Sequence, residues 1–301
     1  MTTITGTTNT GQPATVTITY PPAAMLVGIT CDPKDYGTRL ARWPAARMTR
    51  IFGGPGKGIP PRTVLDDRQR PHDDQRINEV QQLCPGVIPH VSFKDWGDDD
   101  TARKMLRAWL PPANMAPRRD GLPHYLISHM HEPGPKDADP REYRRRQFVL
   151  ANMLAEFGQG GIVELVHIDA NIWVEDKGGR DLSIYLPGVG APAVDTYARS
   201  WKPYPTVAEL LWAPLTLAEV TGTAPFLPEF GIAKRPDDPT GGRRAELMVA
   251  CVARLRAEGC RGVSWWDDLG TAPKNGGPAP DFRLDDEPSR RAWADAMAGR
   301  I

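Results

Sequence analysis

Short apolar runs, each followed by a stretch with helical character, recur along almost the whole chain. Eight runs can be read, at residues 24–30, 48–52, 87–93, 124–130, 162–168, 193–197, 224–227 and 262–266. Runs of this length are typical of parallel strands that are buried on both faces. Strands that alternate with helices form βαβ units. The pattern therefore predicts an α/β fold with a single (β/α)8 TIM barrel, and the 301 residues exceed the roughly 250 that such a barrel needs.

The stretches between the runs carry helix signals. We predict helices at residues 35–43, 74–83, 101–110, 140–157, 207–220 and 243–258. A doubly wound parallel sheet is the competing fold, and it would need a glycine-rich phosphate-binding turn after an early strand. The segment GGPGKG at residues 53–58 lacks the GxGxxG and GxxxxGK[ST] spacings, and Pro60 and Pro61 follow it. Because those prolines prevent a helix from beginning there, the segment is a loop and the barrel is favoured.

The first 22 residues differ from the rest of the chain. They are rich in Thr, Gly and Asn, so they bury too little apolar surface to offset the entropy lost on ordering. We therefore expect an N-terminal arm or linker at residues 1–22 and a barrel at residues 23–301. Within the arm, residues 16–20 (VTITY) alternate like a strand, which makes the arm a candidate for contact with an assembly partner.

Composition excludes several classes of function. The 37 basic and 37 acidic residues give a formal net charge of zero, so the positive surface of a nucleic-acid-binding protein is not expected. No apolar run reaches about 18 residues, which argues against membrane insertion. The start of the sequence has no basic or apolar segment of a secretory signal. The expected location is the cytoplasm, or a virion or exported pool reached by another route.

Two glutamates follow apolar runs that would face one another across the barrel. Glu132 follows the fourth run in SHMHEPG, and Glu229 follows the seventh in APFLPEFG. Reactive groups in these barrels lie at the carboxyl ends of the strands. Hydrolysis of a glycosidic bond needs two carboxyl groups, one protonated to assist the leaving group and one ionised. The pair therefore predicts a glycosidase site in one barrel mouth.

The motifs around these glutamates resemble those of a known enzyme clan. A run ending in His131-Glu132, a later run ending in Pro-Glu-Phe-Gly at residues 228–231, and a last run ending in Trp265-Trp266 are similar to the clan A glycoside hydrolases. Within that clan, the chain most resembles the family 26 β-mannanase-like enzymes, in which a His precedes the acid/base Glu. The segment YLPGVGAPAVDTYARSW at residues 185–201 is also similar to the stretch of that family through strand six.

The resemblance implies roles for individual residues. It implies a retaining mechanism with Glu132 as acid/base and Glu229 as nucleophile, and with His131 and Tyr197 as their supports. It also implies that Trp265 or Trp266 is a platform for a sugar ring. The family usually has Asn, Gly and Trp after the His-Glu pair, whereas this chain has Pro133, Gly134 and Pro135. The substrate contacts of that loop, and with them mannan specificity, do not transfer.

Further polar residues lie near the expected mouth. Arg50 on the second run could reach inward and keep a carboxylate ionised, or it could lie outside the barrel. Asp169 and Asn171 follow the fifth run and are candidates for binding sugar hydroxyls, with loop solvation as the alternative. Because consecutive side chains on a strand point in opposite directions, one of Trp265 and Trp266 should face the mouth.

Two other functions are consistent with the same barrel. One is a non-catalytic carbohydrate-binding protein, for example an accessory protein of a virion or a cell surface. The other is a metal-dependent barrel hydrolase, which His129 and His131 invite together with histidines on other runs. Barrel amidohydrolases carry their HxH pair on the first strand, where this chain has Ile29, Thr30 and Cys31. The favoured interpretation remains a glycosidase that acts on a carbohydrate and needs neither metal nor cofactor.

Overall fold

The computed structural model confirms the (β/α)8 barrel. It describes residues 2–7, 13–18, 25–53, 63–65, 71–73, 75–94, 96–116, 118–130, 132, 139–170, 188–199, 203–272 and 276–301. The eight barrel strands are β1 (Leu26–Thr30), β2 (Met48–Phe52), β3 (Ile88–Phe93), β4 (Tyr125–His129), β5 (Val163–Ala170), β6 (Ala191–Ala198), β7 (Phe226–Ile232) and β8 (Gly262–Trp266). All pair in parallel in the order β1-β8-β7-β6-β5-β4-β3-β2.

Six α-helices are described around this sheet. They are α1 (Gln75–Leu83), α2 (Asp99–Trp109), α3 (Pro140–Glu156), α4 (Val207–Thr221), α5 (Gly242–Ala257) and α6 (Glu287–Met297). The helix predicted at residues 35–43 is instead two short 3-10 turns, Pro33–Asp35 and Leu40–Arg42. Gly37 lies in the turn between the two segments and Pro44 follows the second, and both residue types interrupt regular helices. Among the described helices, none combines the length and the apolar character that crossing a bilayer requires.

Two apolar layers hold the strands in place. Inside the barrel, a layer of side chains fills the end away from the mouth, formed by Leu26, Met48, Ile88, Leu126, Val166, Ile168, Ala193 and Phe226. A larger buried cluster lies between the strands and the helices, and it contains Trp109, Trp265 and Trp293. Above the inner layer the barrel interior becomes polar, with buried Thr30, His90, Ser128 and Ser264 among the side chains there. The interior therefore changes from an apolar base to a polar mouth.

A close backbone approach joins β1 to β2 at the ends of the sheet. The Arg47 amide donates to the Val27 carbonyl oxygen over 2.9 Å, and the Arg50 amide donates to the Thr30 hydroxyl oxygen over 3.2 Å. Between these contacts lies Gly28, where a β-carbon would come within 2.0 Å of the Met48 carbonyl oxygen. The absence of a side chain at residue 28 is therefore what allows β1 and β2 to come this close.

Two small hairpins are separate from the barrel sheet. Residues Thr2–Thr7 pair antiparallel with Pro13–Ile18, and Thr63–Leu65 pair with Pro71–Asp73. Among the described strands, those of the first hairpin pair only with each other. The domain boundary near residue 22 stays a prediction. Of the glycine-rich segment at residues 53–58, residues 54–58 lie outside the described residues.

Substitution of Gly28 by Ala should destabilise the barrel. The added methyl group would collide with a backbone carbonyl of β2, so the strands must move apart. Overpacking of this kind costs about 1–3 kcal/mol, and we expect a clear fall in melting temperature. Gly37→Ala is the matched control, because nothing lies within 4 Å of a β-carbon at that position. Equal melting temperatures for the two variants would contradict the described closure.

Deletion of residues 1–22 should leave the barrel intact. The first hairpin adds no strand to the barrel sheet, and a two-stranded hairpin contributes little stability alone. We expect the thermal unfolding curve of the truncated protein to overlay that of the full chain. A large drop in melting temperature would show instead that the arm belongs to the folded core.

Candidate active site

A pocket opens at the carboxyl ends of the barrel strands. It encloses about 240 Å³ and is lined by Phe52, Glu132, Tyr197, Arg199, Glu229, Trp266, Leu269, Gly270, Thr271, Pro280 and Phe282. The two glutamates singled out from the sequence therefore share one cavity. One comes from the end of β4 and the other from β7.

Glu229 lies within β7 rather than beyond its end. The strand, predicted to stop at Leu227, continues to Ile232, and its register against β8 shifts between Leu227 and Phe230. Such irregularities often occur near active sites, where they redirect a side chain. The side chain of Glu229 is 9% exposed. The glutamate is thus held by the sheet itself and not by a loop.

A buried arginine on β2 binds Glu229 from inside the barrel. Arg50 is 1% exposed, and its Nη1 donates to Oε1 of Glu229 over 2.5 Å and to Oδ2 of Asp195 over 2.8 Å. Its Nη2 donates to the Ser92 hydroxyl oxygen over 3.1 Å. The Tyr197 hydroxyl donates to Oε2 of Glu229. Both oxygens of Glu229 therefore accept hydrogen bonds, one of them from a cation.

Asp195 is the second carboxyl group on this arginine. It lies on β6 and is fully buried. Burial raises the pKa of Asp195 well above its usual range, Arg50 lowers it, and the charges of Glu229 and Glu132 raise it further. A single guanidinium therefore binds two carboxyl groups, and the raised pKa of Asp195 favours the protonated form of that side chain.

Glu132 lies in a different environment. Its amide donates to the Ile168 carbonyl oxygen over 3.1 Å, which fixes the β4 exit against β5. Burial and the charge of Glu229 raise the pKa of Glu132, Arg50, Lys94 and Arg199 lower it, and the net result is a pKa of about 7. A carboxyl group with this pKa holds a proton in a large fraction of molecules at neutral pH, so it can act as an acid.

The backbone at the β4 exit is strained. Met130 has a φ of 51° and Glu132 a φ of 52°, and neither is a glycine. Residues held in this left-handed region cost about 1–3 kcal/mol each and occur preferentially at functional sites. The strain turns the chain sharply after β4 and directs the Glu132 side chain into the pocket.

The two consecutive tryptophans of β8 lie on opposite sides of the strand. Trp266 lines the pocket, with its ring edge-on to Phe52 at 5.9 Å between centroids. Trp265 lies on the outer face of the strand and is fully buried between sheet and helices, with 5.3 Å between its ring centroid and that of Trp293. Its indole N–H donates to the Phe282 carbonyl oxygen. Of the two, Trp266 is therefore the one that faces the pocket, and Trp265 is a core residue.

Several lining residues had no assigned role in the sequence analysis. One wall of the pocket is formed after β8 by Leu269, Gly270, Thr271, Pro280 and Phe282. There the Gly270 amide donates to the Pro280 carbonyl oxygen over 2.7 Å. Phe282 packs on Tyr197, with 5.1 Å between ring centroids. Asp195 could have been found, since an acidic residue in the middle of a buried strand needs a charged partner. Phe282 lies in a loop without periodicity, so no sequence signal pointed to it.

Three predicted site residues are not placed by the structure. His131 and Asn171 lie outside the described residues, and the side chain of Asp169 does as well. The backbone of Asp169 pairs with Val194 in the register between β5 and β6. Their roles stay predictions.

The histidines of the metal hypothesis lie on different faces of the sheet. His90 is inside the barrel, with Nε2 at 2.6 Å from the Ser128 hydroxyl oxygen. His129 lies outside, against the rings of Phe93 and Trp96, and burial lowers its pKa to about 3. Within the described parts of the chain, no group of three or more His, Cys, Asp or Glu side chains could hold a metal ion.

His167 also lies outside the barrel, where its Nδ1 forms a hydrogen bond with the Tyr143 hydroxyl. Burial lowers the pKa of His167 to about 3. The wall of the barrel separates His129 and His167 from His90. These three imidazoles therefore cannot bind one ion together.

Replacement of Arg50 by Met should leave two buried carboxyl groups without their cation. Loss of one partner of a buried ion pair costs about 3–5 kcal/mol. Without Arg50 the native carboxyl groups hold protons that the unfolded chain releases, so the loss of stability should grow between pH 5 and pH 8. Chemical denaturation at both values measures this. Arg254→Met is the control, because that side chain is 54% exposed and its loss should cost about 1 kcal/mol at most. A deficit that shrinks with rising pH would contradict the described network.

At the level of sequence, no family model and no curated protein matches the chain. Solved structures do match its fold. The catalytic domain of a GH26 endo-β-1,4-mannanase from Bacillus sp. JAMB-750 has a TM-score of 0.55 at 11% identity, over 91% of this chain and 86% of that one. A GH10 xylanase from Thermobacillus composti has a TM-score of 0.55 at 16% identity, over 90% and 97% of the two chains.

A GH5-4 broad specificity endoglucanase from Clostridium acetobutylicum has a TM-score of 0.56 at 13% identity, over 91% of this chain and 96% of that one. Identities this low establish a shared fold. The resemblance to clan A glycoside hydrolases is therefore confirmed at the level of architecture: the chain folds as an eight-stranded parallel barrel like those of GH5, GH10 and GH26 enzymes.

Proposed function

We propose that the protein is a retaining glycoside hydrolase that acts on a polysaccharide or other glycan. The observation that carries this proposal is the pair of glutamates in one pocket with opposite electrostatic environments. Glu229 is bound by Arg50 and Tyr197, whereas burial raises the pKa of Glu132 to about 7. Two carboxyl groups whose environments differ in this way can divide the roles of acid and nucleophile between them.

In the first step, a carboxylate oxygen of Glu229 attacks the anomeric carbon of the bound sugar. The bond from that carbon to the leaving oxygen breaks, and the proton of Glu132 passes to the leaving oxygen. In the second step, ionised Glu132 takes a proton from water, and the water oxygen displaces Glu229 from the sugar. Arg50 and Tyr197 hold Glu229 in position for the attack. His131 would support Glu132 in the same way.

The walls of the pocket suit a sugar ring. Trp266 and Phe52 supply aromatic surface that can pack on the C–H face of a pyranose. Asp169 and Asn171 are proposed to bind hydroxyl groups of the substrate. The similar structures are named as a mannanase, a xylanase and an endoglucanase, which act on different polysaccharides. Their common chemistry supports hydrolysis of a glycan without selecting one sugar.

Two proposals concern the context of the enzyme. The arm at residues 1–22 is proposed to contact an assembly partner, with the barrel beginning at residue 23. A non-catalytic carbohydrate-binding barrel is the alternative function, and the experiment below distinguishes it.

Variants of the two glutamates should lose activity in different ways. Glu229→Gln should abolish turnover of every substrate, because each needs the nucleophile. Glu132→Ala should abolish cleavage of natural glycans but keep the first step on an aryl glycoside with an acidic phenol, which leaves without protonation. Stopped-flow absorbance of the released phenol separates the two steps. The initial burst reports the first step, and the later steady-state rate reports the second.

Azide provides the control. In Glu132→Ala a small anion can enter the vacated space and displace Glu229 without a general base, so azide should accelerate the second step and yield a glycosyl azide. Azide should leave Glu229→Gln inactive. If the two variants behave alike on both substrates, the assigned roles are incorrect. Wild-type protein that binds glycans without cleaving any would favour the binding barrel.

A further inference from the structure

The ring of Phe282 occupies a space beside Tyr197 that a glycine on β7 leaves open. In the register between β6 and β7, Tyr197 lies opposite Gly231, which comes two residues after Glu229. A β-carbon on Gly231 would lie 2.8 Å from Cδ1 of Phe282 and 2.9 Å from Cδ1 of Tyr197. Because residue 231 has no side chain, the two rings can share this space.

The contact between the two rings complements the hydrogen bond at the other end of Tyr197. The Tyr197 hydroxyl donates to Oε2 of Glu229, and this bond constrains the phenol oxygen more than the plane of the ring. The Phe282 ring packs on the Tyr197 ring with 5.1 Å between centroids and an angle of 48° between planes. Phe282 is only 3% exposed. A buried ring therefore supports the side chain that binds Glu229.

Phe282 is itself held through both its backbone and its ring. Its amide donates to the Asp268 carbonyl oxygen over 3.1 Å. Its carbonyl oxygen accepts hydrogen bonds from Nε1 of Trp265 over 2.8 Å and from Nη2 of Arg244 over 2.7 Å. A β-carbon on Gly270 would lie 2.8 Å from Cε2 of the Phe282 ring, so the ring also lies close against that glycine. The position of Phe282 is thus fixed from several directions.

Arg244 connects this position to two helices. It lies on α5 and is fully buried. Its Nη1 donates to the Arg283 carbonyl oxygen over 3.1 Å and to Oδ2 of Asp286 over 3.0 Å, and Asp286 caps α6. These acceptors offset the cost of burying the guanidinium. The chain around Phe282 is therefore anchored to α5 and α6 as well as to β8.

We propose that Phe282 is a positioning residue, which holds the Tyr197 ring at the angle at which its hydroxyl meets Glu229. The proposal rests on the proposed function, in which Glu229 is the nucleophile. A displacement of roughly 1 Å in a group that orients the reacting atoms can cost about 100-fold in rate. The chain after β8 thereby acts on the nucleophile through Tyr197. Because Phe282 also lines the pocket, the test must separate this role from contact with the sugar.

Kinetics of Phe282→Leu on an aryl glycoside that the wild-type protein hydrolyses provides the first test. Leucine fills part of the space but has no ring face to support Tyr197. We expect kcat to fall about 10- to 100-fold and KM to stay close to the wild-type value, because binding of the substrate in its ground state is unchanged. A rise in KM at unchanged kcat would show that Phe282 contacts the sugar instead, and it would overturn the proposal.

Phe226→Leu is the matched control. Phe226 is a buried phenylalanine on the same strand as Glu229, but it lies in the apolar layer at the other end of the barrel. Its substitution should lower the melting temperature and leave kcat unchanged. Phe282→Met is the second variant if Phe282→Leu fails to fold, because its flexible side chain fills similar space without a rigid ring face. An equal loss of kcat in Phe226→Leu would reduce the effect at residue 282 to general destabilisation and overturn the proposal.

A double-mutant cycle with Tyr197→Phe tests whether Phe282 acts through the tyrosine. Tyr197→Phe keeps the ring and removes the hydroxyl, so it should lower kcat by itself. Once the hydroxyl is gone, its position no longer matters. Tyr197→Phe/Phe282→Leu should therefore have the kcat of Tyr197→Phe within about twofold, whereas independent residues would multiply their losses. Multiplied losses, or a wild-type kcat in Tyr197→Phe, would overturn the proposal.

The outcomes distinguish this proposal from the proposed function. If the wild-type protein hydrolyses a glycoside and the cycle shows independent losses, the positioning role fails while the glycosidase stands. If the wild-type protein hydrolyses no glycoside in a panel of aryl glycosides and natural glycans, the proposed function fails, and the role of Phe282 fails with it.

Discussion

The contact between Arg50 and Glu229 is the interaction on which the site depends. A buried guanidinium without a partner, or a buried carboxylate without one, would be costly enough to change its protonation state or the local structure. Here Arg50 donates a hydrogen bond to Glu229 over 2.5 Å, so each charge has a partner. The same guanidinium also donates to Asp195 and to Ser92. Because Arg50 is on β2, Asp195 on β6 and Glu229 on β7, the network connects widely separated parts of the barrel. A charge at the bottom of the pocket is thereby fixed by the fold.

The same network explains why the two glutamates differ. Glu229 accepts hydrogen bonds at both oxygens, so its negative charge is stabilised. That charge then acts on Glu132 across the pocket and, together with burial, raises the pKa of Glu132 to about 7. The division into a carboxylate and an acid thus follows from one arginine beneath one of two similar side chains. Arg50 lies in the polar layer of the barrel interior. The fold can include such a layer because the apolar layer at the other end of the barrel forms a hydrophobic core.

Much of this architecture could be predicted from the sequence, and the failures have physical causes. The eight runs were correct because strands buried on both faces leave a strong apolar signal. The end of β7 was placed too early, since Pro228 and Gly231 resemble turn residues and only the pairing with β6 and β8 keeps them in the strand. Helix α6 was missed although Asp286 caps it and Pro288 lies in its first turn, both of which are readable signals.

For the candidate site, the sequence predicted that the two glutamates share one pocket, but not which side chains contact them. Glu132 and Glu229 follow apolar runs, and their spacing placed them on facing strands. The direction of Arg50 was open, because both faces of its strand are buried and only the closure against β1 sets which residues point inward. The pocket wall that contains Phe282 depends on contacts with Tyr197 and β8 that no local pattern contains.

The central claim is that the barrel holds one of its two glutamates as an acid at neutral pH. Carbon-13 NMR of the side-chain carboxyl groups measures this without a substrate, with the Glu132 resonance assigned by its loss in Glu132→Gln. The account predicts that this resonance titrates near pH 7, and that Glu229→Gln moves its midpoint downward, because the negative charge that raises the pKa of Glu132 is removed. A Glu132 midpoint near that of an ordinary glutamate, about 4.3, would contradict the account.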